Sequence, residues 1–398
     1  MCLVSHDRPG GRTSTAIRAA NRARIVDALR VRGQVTRAQL CELTGLSRAT
    51  VSVLVGELAE RGLLVENPQT DTGAVGRPVS MLSLDRTSGV GIGIDVGVRH
   101  IAVAVGDSAR TVYTEQWRPR PVGHTAADGF DTVLTAVREA LREADAEREQ
   151  LIGAAVGLAA PVASRDGAIA EPGLLPGWGG PALAHRLADA LNVPVQLENV
   201  AAFGALGEYV WGPAAGVGNL LYVKLASRVG AGLILGGSLY RGAAGFAGEL
   251  GHFTVDRNGL LCRCGARGCL ELYAGGAAIL RALGRSDGPY AFEGLVDDAV
   301  AGDREVIAAV HEAARFLGQG LSAVAKLLDP QRIVIGGELW RLGEVMAPVL
   351  NEELRRYSFA SRPVIEASPL GRRAALLGAL AVALTDRTGF TAHPGTPT

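Results

Sequence analysis

Long apolar runs and internal repeats are absent from this sequence of 398 residues. No stretch of about eighteen apolar residues runs without an interrupting charge, so a membrane-spanning helix is not expected. The first ten residues include Asp7, Arg8 and Pro9 and no apolar core, which does not fit a secretory leader. No repeat of solenoid length occurs, and the one biased tract is a polar tail at 391–398. We expect a globular, cytoplasmic chain without a membrane partner.

Cysteine is also scarce. The chain has five, an odd number that suits disulfide pairing poorly. Three of the five crowd between positions 262 and 269, and such crowding is more typical of metal binding. Both features fit a reducing compartment.

Two kinds of pattern divide the chain. Residues 15–86 show short helical periods followed by a hairpin pattern, whereas from about position 90 β-rich runs alternate with helical stretches, as in α/β lobes. The length also exceeds what one compact core usually supports, so two or three domains are expected. We place the first boundary at 86–89.

Positive charge is concentrated near the N-terminus. The formal net charge is zero overall, but the first fifty residues carry nine arginines against three acidic residues, a local net charge of +6. This asymmetry favours a polyanion as the partner of the N-terminal region alone. The alternative is a basic face that is simply solvated.

The N-terminal pattern predicts a helix-turn-helix. A first helix lies within about 16–32, and Thr36 with Gln39 forms a capping box that begins a second. Gly45 permits a tight turn into a third helix, which is capped by Ser47. Two helices joined by a glycine-containing turn of this length are typical of DNA-binding heads. The alternative is a small helical packing module.

A wing is expected after the third helix. Residues 63–66 and 79–84 resemble two strands around a turn, and Arg77 near the tip suits a narrow minor groove while the third helix occupies the major groove. The partner is therefore predicted to be a double-stranded DNA operator. The residues that we expect to contact DNA are Thr36, Arg37, Ser47, Arg48, Thr50, Ser52 and Arg77.

One imidazole and three thiol groups can converge in the second half of the chain. They belong to His252, Cys262, Cys264 and Cys269. Four nitrogen and sulfur ligands without a water form the tetrahedral arrangement of a structural zinc site. The alternative is a cluster of buried free thiols.

The same segment resembles a known family. Glu249-Leu-Gly-His252 followed by CRCGARGCLE resembles the double signature of the ROK family, whose name joins repressors and sugar kinases. Leu175-Pro-Gly-Trp178, Leu197-Glu-Asn199, Ile335-Gly-Gly337 and a strand pair carrying Asp95 follow the family's order over nearly the whole chain.

The resemblance implies an α/β protein of the xylose or N-acetylglucosamine repressor type. Its N-terminal winged helix-turn-helix would precede a two-lobed actin-like ATPase (ribonuclease-H-like) sugar-kinase fold. We place the two lobes at 90–200 and 201–390, the second with the zinc site.

The resemblance also implies a set of site residues. Zinc would be held by His252, Cys262, Cys264 and Cys269, and sugar hydroxyls by Asn199, Glu249, His252 and Glu271. Carboxylates and amides suit adjacent hydroxyl groups because they donate and accept hydrogen bonds. Trp178 either shapes the pocket or anchors its loop, and Glu271 either contacts ligand or caps a helix.

The sequence departs from the kinase pattern at three places. Val200 stands where kinases of the family have the aspartate that accepts the sugar hydroxyl proton, and loss of a general base removes a factor of about 10² to 10⁴ in rate. Ala226-Ser227-Arg228 and Val98-Arg99-His100 replace the small residues of the two phosphate turns. We therefore predict that the chain has no catalytic residue and is not an enzyme.

Ligand selectivity is also expected to change. Leu174 stands where the family usually has an asparagine, and with Val200 it makes the cleft more apolar. This predicts a monosaccharide with fewer hydroxyls, a sugar derivative or no effector.

The combined prediction is a sugar-responsive repressor that works as a homodimer or homotetramer, because paired heads read paired half-sites. Two alternatives stay open: a ligand-independent DNA-binding regulator, and an ATP-dependent sugar kinase with a DNA-binding head.

Overall fold

A computed structural model describes residues 18, 21, 22, 24–26, 28, 29, 32–60, 63–68, 80–85, 89–108, 110–170, 175–212, 214, 217–286, 288, 291–357 and 363–384. They form two compact units: most of the first is the N-terminal region up to Gly89, and the second is Val90–Gly106 with Val112–Ala383. We call residues 18–85 the head and residues 90–383 the body.

The head is a winged helix-turn-helix, as predicted. Its described residues between 18 and 32 are helical and precede the elements β1 (Gln34–Val35), α1 (Arg37–Thr44), α2 (Arg48–Glu60), β2 (Leu64–Pro68) and β3 (Ser80–Leu84). Strand β3 pairs antiparallel with both β1 and β2. Sequence reasoning missed β1, because two residues are too few to show an alternating pattern.

Local chemistry sets the ends of the head helices. The Thr36 hydroxyl accepts a hydrogen bond from the Gln39 amide at 3.2 Å, and the Thr36 amide donates to Gln39 Oε1 at 2.8 Å. Gly45 ends α1 with φ of 65°, a left-handed conformation that glycine adopts without strain. Ser47 Oγ then accepts from the Thr50 amide at 3.2 Å and caps α2. The predicted capping box and cap are confirmed.

The body contains two five-stranded sheets with the same strand order. The first sheet is ordered β6-β5-β4-β7-β8 and the second β11-β10-β9-β12-β13, so in each the third, second, first, fourth and fifth strands lie side by side. The last two strands of each sheet are parallel to each other and the second and third are antiparallel. The predicted two-lobed α/β body is confirmed. The first sheet contains β4 (Val90–Val96), β5 (His100–Asp107), β6 (Val112–Pro119), β7 (Leu151–Leu158) and β8 (Val195–Asn199), and the second β9 (Leu220–Leu225), β10 (Val229–Leu235), β11 (Ser238–Leu239), β12 (Arg332–Gly336) and β13 (Val364–Ala367).

Helices cover the faces of both sheets, and buried aliphatic side chains form the two lobe cores. Among the described residues, no helix is both long and apolar enough to cross a membrane. The body helices are α3 (Ala126–Glu143), α4 (Gly180–Leu191), α5 (Val200–Val210), α6 (Glu271–Ala274), α7 (Gly276–Ala282), α8 (Ala291–Ala301), α9 (Arg304–Leu328), α10 (Leu342–Tyr357) and α11 (Ala374–Ala383).

The last helix, α11, packs against both α5 and the first sheet. A Cβ on Gly378 would lie 1.8 Å from the carbonyl oxygen of Phe203, and one on Gly207 would lie 2.0 Å from that of Ala374. On the sheet side, a Cβ on Gly93 would lie 2.6 Å from the Leu380 nitrogen. Glycine therefore lets α11 approach both α5 and strand β4 at backbone distance.

Glu208 is a carboxylate buried on α5. Its side chain is 0% exposed and accepts a hydrogen bond from the Ser368 hydroxyl. Burial disfavours the charged form and raises the pKa of Glu208 to about 7, and the hydrogen bond from Ser368 offsets only part of this effect.

A Glu208→Gln variant is expected to lose part of the pH dependence of stability. The unfolded chain loses the Glu208 proton before the folded chain does, so the free energy of unfolding of the wild type should fall by about 3 kcal/mol as pH rises from about 4.5 to about 7. Chemical denaturation between about pH 5 and pH 8 measures the part of this change that falls there. Glu352→Gln, at an exposed carboxylate on α10, is the control and should keep the wild-type profile. Identical profiles for both variants would contradict the prediction.

Candidate functional site

A cleft in the body brings together all four residues that were predicted to bind a sugar. Asn199, Glu249, His252 and Glu271 line it, together with Val200 from the start of α5. Both predicted phosphate turns reach the same cleft through Val98, Arg99 and residues 226–230.

Asn199 lies where β8 ends and α5 begins. Its Oδ1 atom accepts a hydrogen bond from the Ala201 amide at 2.6 Å, and its Nδ2 atom donates to the Ala160 carbonyl at 2.8 Å. The side chain therefore caps α5 while it lines the cleft. These two bonds hold the amide in one orientation, which suits it to a fixed polar group of a ligand.

Glu271 links the cleft to the cysteine segment. It is buried at the first position of α6, where it accepts a hydrogen bond from Arg263 Nε at 3.2 Å and one from Cys262 Sγ at 3.3 Å. His252 Nδ1 lies 4.0 Å from the same carboxylate oxygen. The N-cap residue of α6 is Leu270, and the hydrogen bonds of the Glu271 carboxylate come from Arg263 and Cys262, which favours a role in the cleft over the helix-cap interpretation.

The four predicted metal ligands form one cluster. Their donor atoms all lie within 4.8 Å of one another. Cys262 Sγ is 3.6 Å from His252 Nδ1, and Cys264 Sγ is 3.6 Å from Cys269 Sγ. Tetrahedral zinc with bonds of about 2.3 Å to sulfur places its ligand atoms roughly 3.6–3.8 Å apart, so the donor atoms fit such an ion. The cluster can therefore hold a metal.

The thiols of the cluster are costly to ionise without a cation. Burial and the two neighbouring thiols raise the pKa of Cys269 to about 12, and burial also raises the pKa of Cys262. Metal ligation requires thiolates and stabilises them by its own charge. A cation bound to the cluster would supply the charge that keeps these thiols ionised.

A half-buried histidine lies beside Asp95 in the body. His100 Nε2 is 3.3 Å from Asp95 Oδ2, and His100 Nδ1 is 3.8 Å from Glu338 Oε1. Burial alone would lower the pKa of His100, but the carboxylates of Asp95 and Glu338 outweigh it and raise the pKa above its usual value. The imidazole is therefore more readily protonated than a free histidine, and it lies between acidic groups of both lobes.

Sequence reasoning missed Glu338 and the contact of Arg263 with Glu271. Glu338 follows Ile335-Gly-Gly337 directly, and its position after that motif was the available signal. Arg263 reaches the carboxylate of Glu271, eight residues further along the chain.

Trp178 is a packed anchor of its loop. Its side chain is 1% exposed, meets His124 edge-on at 5.9 Å between ring centroids, and does not line the cleft. This arrangement favours the anchor over the pocket-shaping interpretation. Leu174, which was expected to make the cleft more apolar, lies outside the described residues.

The residues predicted to contact DNA have different surroundings in the head. Ser47, Arg48 and Ser52 are exposed at the start of α2. Arg37 forms a two-point ion pair with Glu66, whose Oε2 atom lies 2.9 Å from Arg37 Nη2, so it links α1 to β2.

Two of the remaining DNA-contact predictions fall on half-buried hydroxyl residues. Thr36 serves as the α1 cap, and the Thr50 hydroxyl is 2.9 Å from that of Ser47. Arg77 lies outside the described residues.

The chain has an N-terminal winged helix-turn-helix, a fold typical of DNA-binding domains. A two-lobed α/β body with a cleft follows it. Residues 19–73 match the MarR family, and residues 91–386 match the ROK family. The chain belongs to the ROK family.

Regulators are similar to this chain over nearly its whole length. The xylose repressor of Bacillus subtilis (strain 168) is 29% identical over 367 residues, which are 92% of this chain and 94% of that protein. The crystal structure of a ROK family transcriptional regulator, a homologue of the E. coli MLC protein, has a TM-score of 0.73 and covers 94% of this chain and 98% of its own. At 23% identity, this second likeness shows the fold alone.

A kinase of the same family is similar to a smaller part of the chain. The crystal structure of a ROK family glucokinase from Streptomyces griseus, in complex with glucose and AMPPNP, is 29% identical with a TM-score of 0.65. It covers 74% of this chain and 99% of its own.

Proposed function

We propose that this chain is a sugar-responsive, DNA-binding transcriptional repressor. The observation that carries the proposal is the combination, in one chain, of a MarR-type head with a ROK body, matched end to end by a xylose repressor. The head reads an operator, and occupancy of the cleft changes how well it does so.

The head would bind duplex DNA with α2 in the major groove. Exposed Ser47, Arg48 and Ser52 at the start of α2 are placed to meet phosphates and base edges. Thr36, Arg37, Thr50 and Arg77 complete the proposed set, although Arg37 must first exchange its ion pair with Glu66 for a phosphate. Paired half-sites require paired heads, so the working form is a homodimer or homotetramer.

The cleft would bind a monosaccharide or a sugar derivative. Asn199, Glu249, His252 and Glu271 offer amide, imidazole and carboxylate groups from several segments of the body. Zinc bound by His252, Cys262, Cys264 and Cys269 would fix the loop that carries Arg263, and with it the Glu271 carboxylate.

The departures from the kinase pattern support a body that does not transfer phosphate. Val200, which is 3% exposed, lines the cleft where a general base would stand, and a valine side chain cannot accept a proton. His100, which belongs to one of the two altered phosphate turns, lies against Asp95. The body therefore reports ligand occupancy and is not an enzyme.

The proposal is tested with the purified full-length chain. Duplexes are selected from a randomised library, and affinity for the selected duplex is measured with xylose, glucose and other monosaccharides. We expect at least one sugar to change the affinity by roughly 5-fold to 150-fold, the usual size of coupling between sites. Glu249→Gln should reduce this sugar-dependent change, because the amide accepts sugar hydroxyls less strongly than the carboxylate does. The control Glu352→Gln, at an exposed residue outside the cleft, should retain it.

Two results would contradict the proposal. Sugar-dependent release of ADP from ATP would identify a kinase. Duplex binding that no sugar alters would favour the ligand-independent regulator.

A further inference from the structure

The outward face of α2 is apolar at its centre. Val51, Leu54, Val55 and Leu58 are buried and define the inner face of the helix. Ala49 and Val53 are four residues apart, lie on the opposite face and are exposed, with 53% of Val53 accessible to solvent. The centre of the face that a helix-turn-helix presents to DNA therefore carries methyl groups.

Polar groups lie on both sides of this centre. Arg48 and Ser52 are exposed along one edge of α2. Along the other edge, the Glu57 carboxylate accepts hydrogen bonds from the guanidinium groups of Arg18 and Arg22. Hydrogen-bond donors for base edges are therefore concentrated beside Val53 and not at its own position.

Gly56 lies one turn beyond Val53 on the same face. Apart from the neighbouring backbone of α2, a Cβ at Gly56 would have no atom within 4 Å, so packing within the described part of the head does not require a glycine there. Glycine inside a helix weakens that helix relative to alanine. Its presence on this face lets another surface approach the helix backbone closely.

Thymine is the base that such a face suits. In the major groove it presents a C5 methyl group, which the other three bases lack. We propose that Val53, with Ala49 beside it, reads the C5 methyl group of a thymine at a fixed position in the operator. This inference rests on the proposed function, because it places α2 in the major groove of duplex DNA.

The test removes the C5 methyl group from the base and the two γ-methyl groups from the side chain. The purified full-length chain selects a duplex from a randomised library, and each thymine of that duplex is replaced in turn by deoxyuridine, which keeps the base pair and lacks the methyl group. Affinities are measured for the wild type and for Val53→Ala. At one position in each half-site, deoxyuridine should weaken wild-type binding about threefold to fivefold, and there it should weaken Val53→Ala binding no further.

Leu43→Ala is the matched control. Leu43 lies on α1 and is 45% exposed. This variant therefore shortens another exposed aliphatic side chain of the head and leaves the sequence of α2 unchanged. It should keep the wild-type sensitivity to deoxyuridine at every position.

Two outcomes would contradict the expected result, and they have different consequences. A selected duplex whose deoxyuridine sensitivity is the same in the wild type and Val53→Ala would overturn this inference alone. Failure of the chain to enrich any duplex would overturn the proposed function and this inference with it.

Discussion

Replacing Cys264 with serine is expected to remove the bound metal and to destabilise the body by more than about 4 kcal/mol. Cys264 is exposed, so the substitution removes little buried packing, and its effect arises from the lost thiolate ligand. Among the three remaining donors, Cys262 and Cys269 are buried thiols with raised pKa values. Without the fourth ligand, these two thiols would stay protonated or bind metal poorly. Metal content by mass spectrometry and the unfolding temperature of the body measure the two effects.

Cys41→Ser provides the control for this experiment. Cys41 is a half-buried cysteine in α1 of the head and does not belong to the cluster. This variant should keep one metal ion per chain and the wild-type unfolding of the body. A wild-type protein that contains no metal, or a Cys264→Ser protein with full metal content and unchanged stability, would contradict the prediction.

Replacing Gly378 with alanine is expected to destabilise the body by at least about 3 kcal/mol. The new Cβ would lie 1.8 Å from the Phe203 carbonyl oxygen and 2.9 Å from the Gly207 nitrogen. Both neighbours are backbone atoms of α5, so no side-chain rotation can relieve the overlap and the two helices must move apart. Denaturant unfolding of the full chain measures the loss.

Gly294→Ala adds the same methyl group where there is room for it. Gly294 lies within α8, and no atom comes within 4 Å of its Cβ position. Because alanine favours the helix over glycine, this control should stabilise the chain by about 0.5–1 kcal/mol. Equal stability of the two variants would refute the close approach of α5 and α11.

The head could be predicted in detail because its boundaries depend on neighbouring residues. Thr36 and Gln39 cap α1 within a single turn, and Gly45 ends it by its own conformation. Strand β1 depends instead on pairing with β3, about fifty residues away, and no local pattern reveals such a contact.

The site could be predicted in part. The spacing of Cys262, Cys264 and Cys269 keeps these thiols close in any compact loop, so their convergence with His252 was foreseeable. The pairing of His100 with Glu338 was not, because it joins two lobes whose relative position follows from the whole fold. The position of α11 was equally hidden, since this helix is apolar on all sides and has no face that indicates its partner.

The return of α11 to the first sheet also bears on how the chain folds as it leaves the ribosome. Strand β4 is made roughly 280 residues before the helix that covers it, and at about 5–20 residues per second this interval lasts roughly 15–55 s. During that time one apolar side of the first sheet has no cover, although the head can already have folded. Nascent chains stalled before residue 374 should therefore carry an unfinished first lobe and recruit chaperones, whereas chains that have released residues 374–383 can complete that lobe.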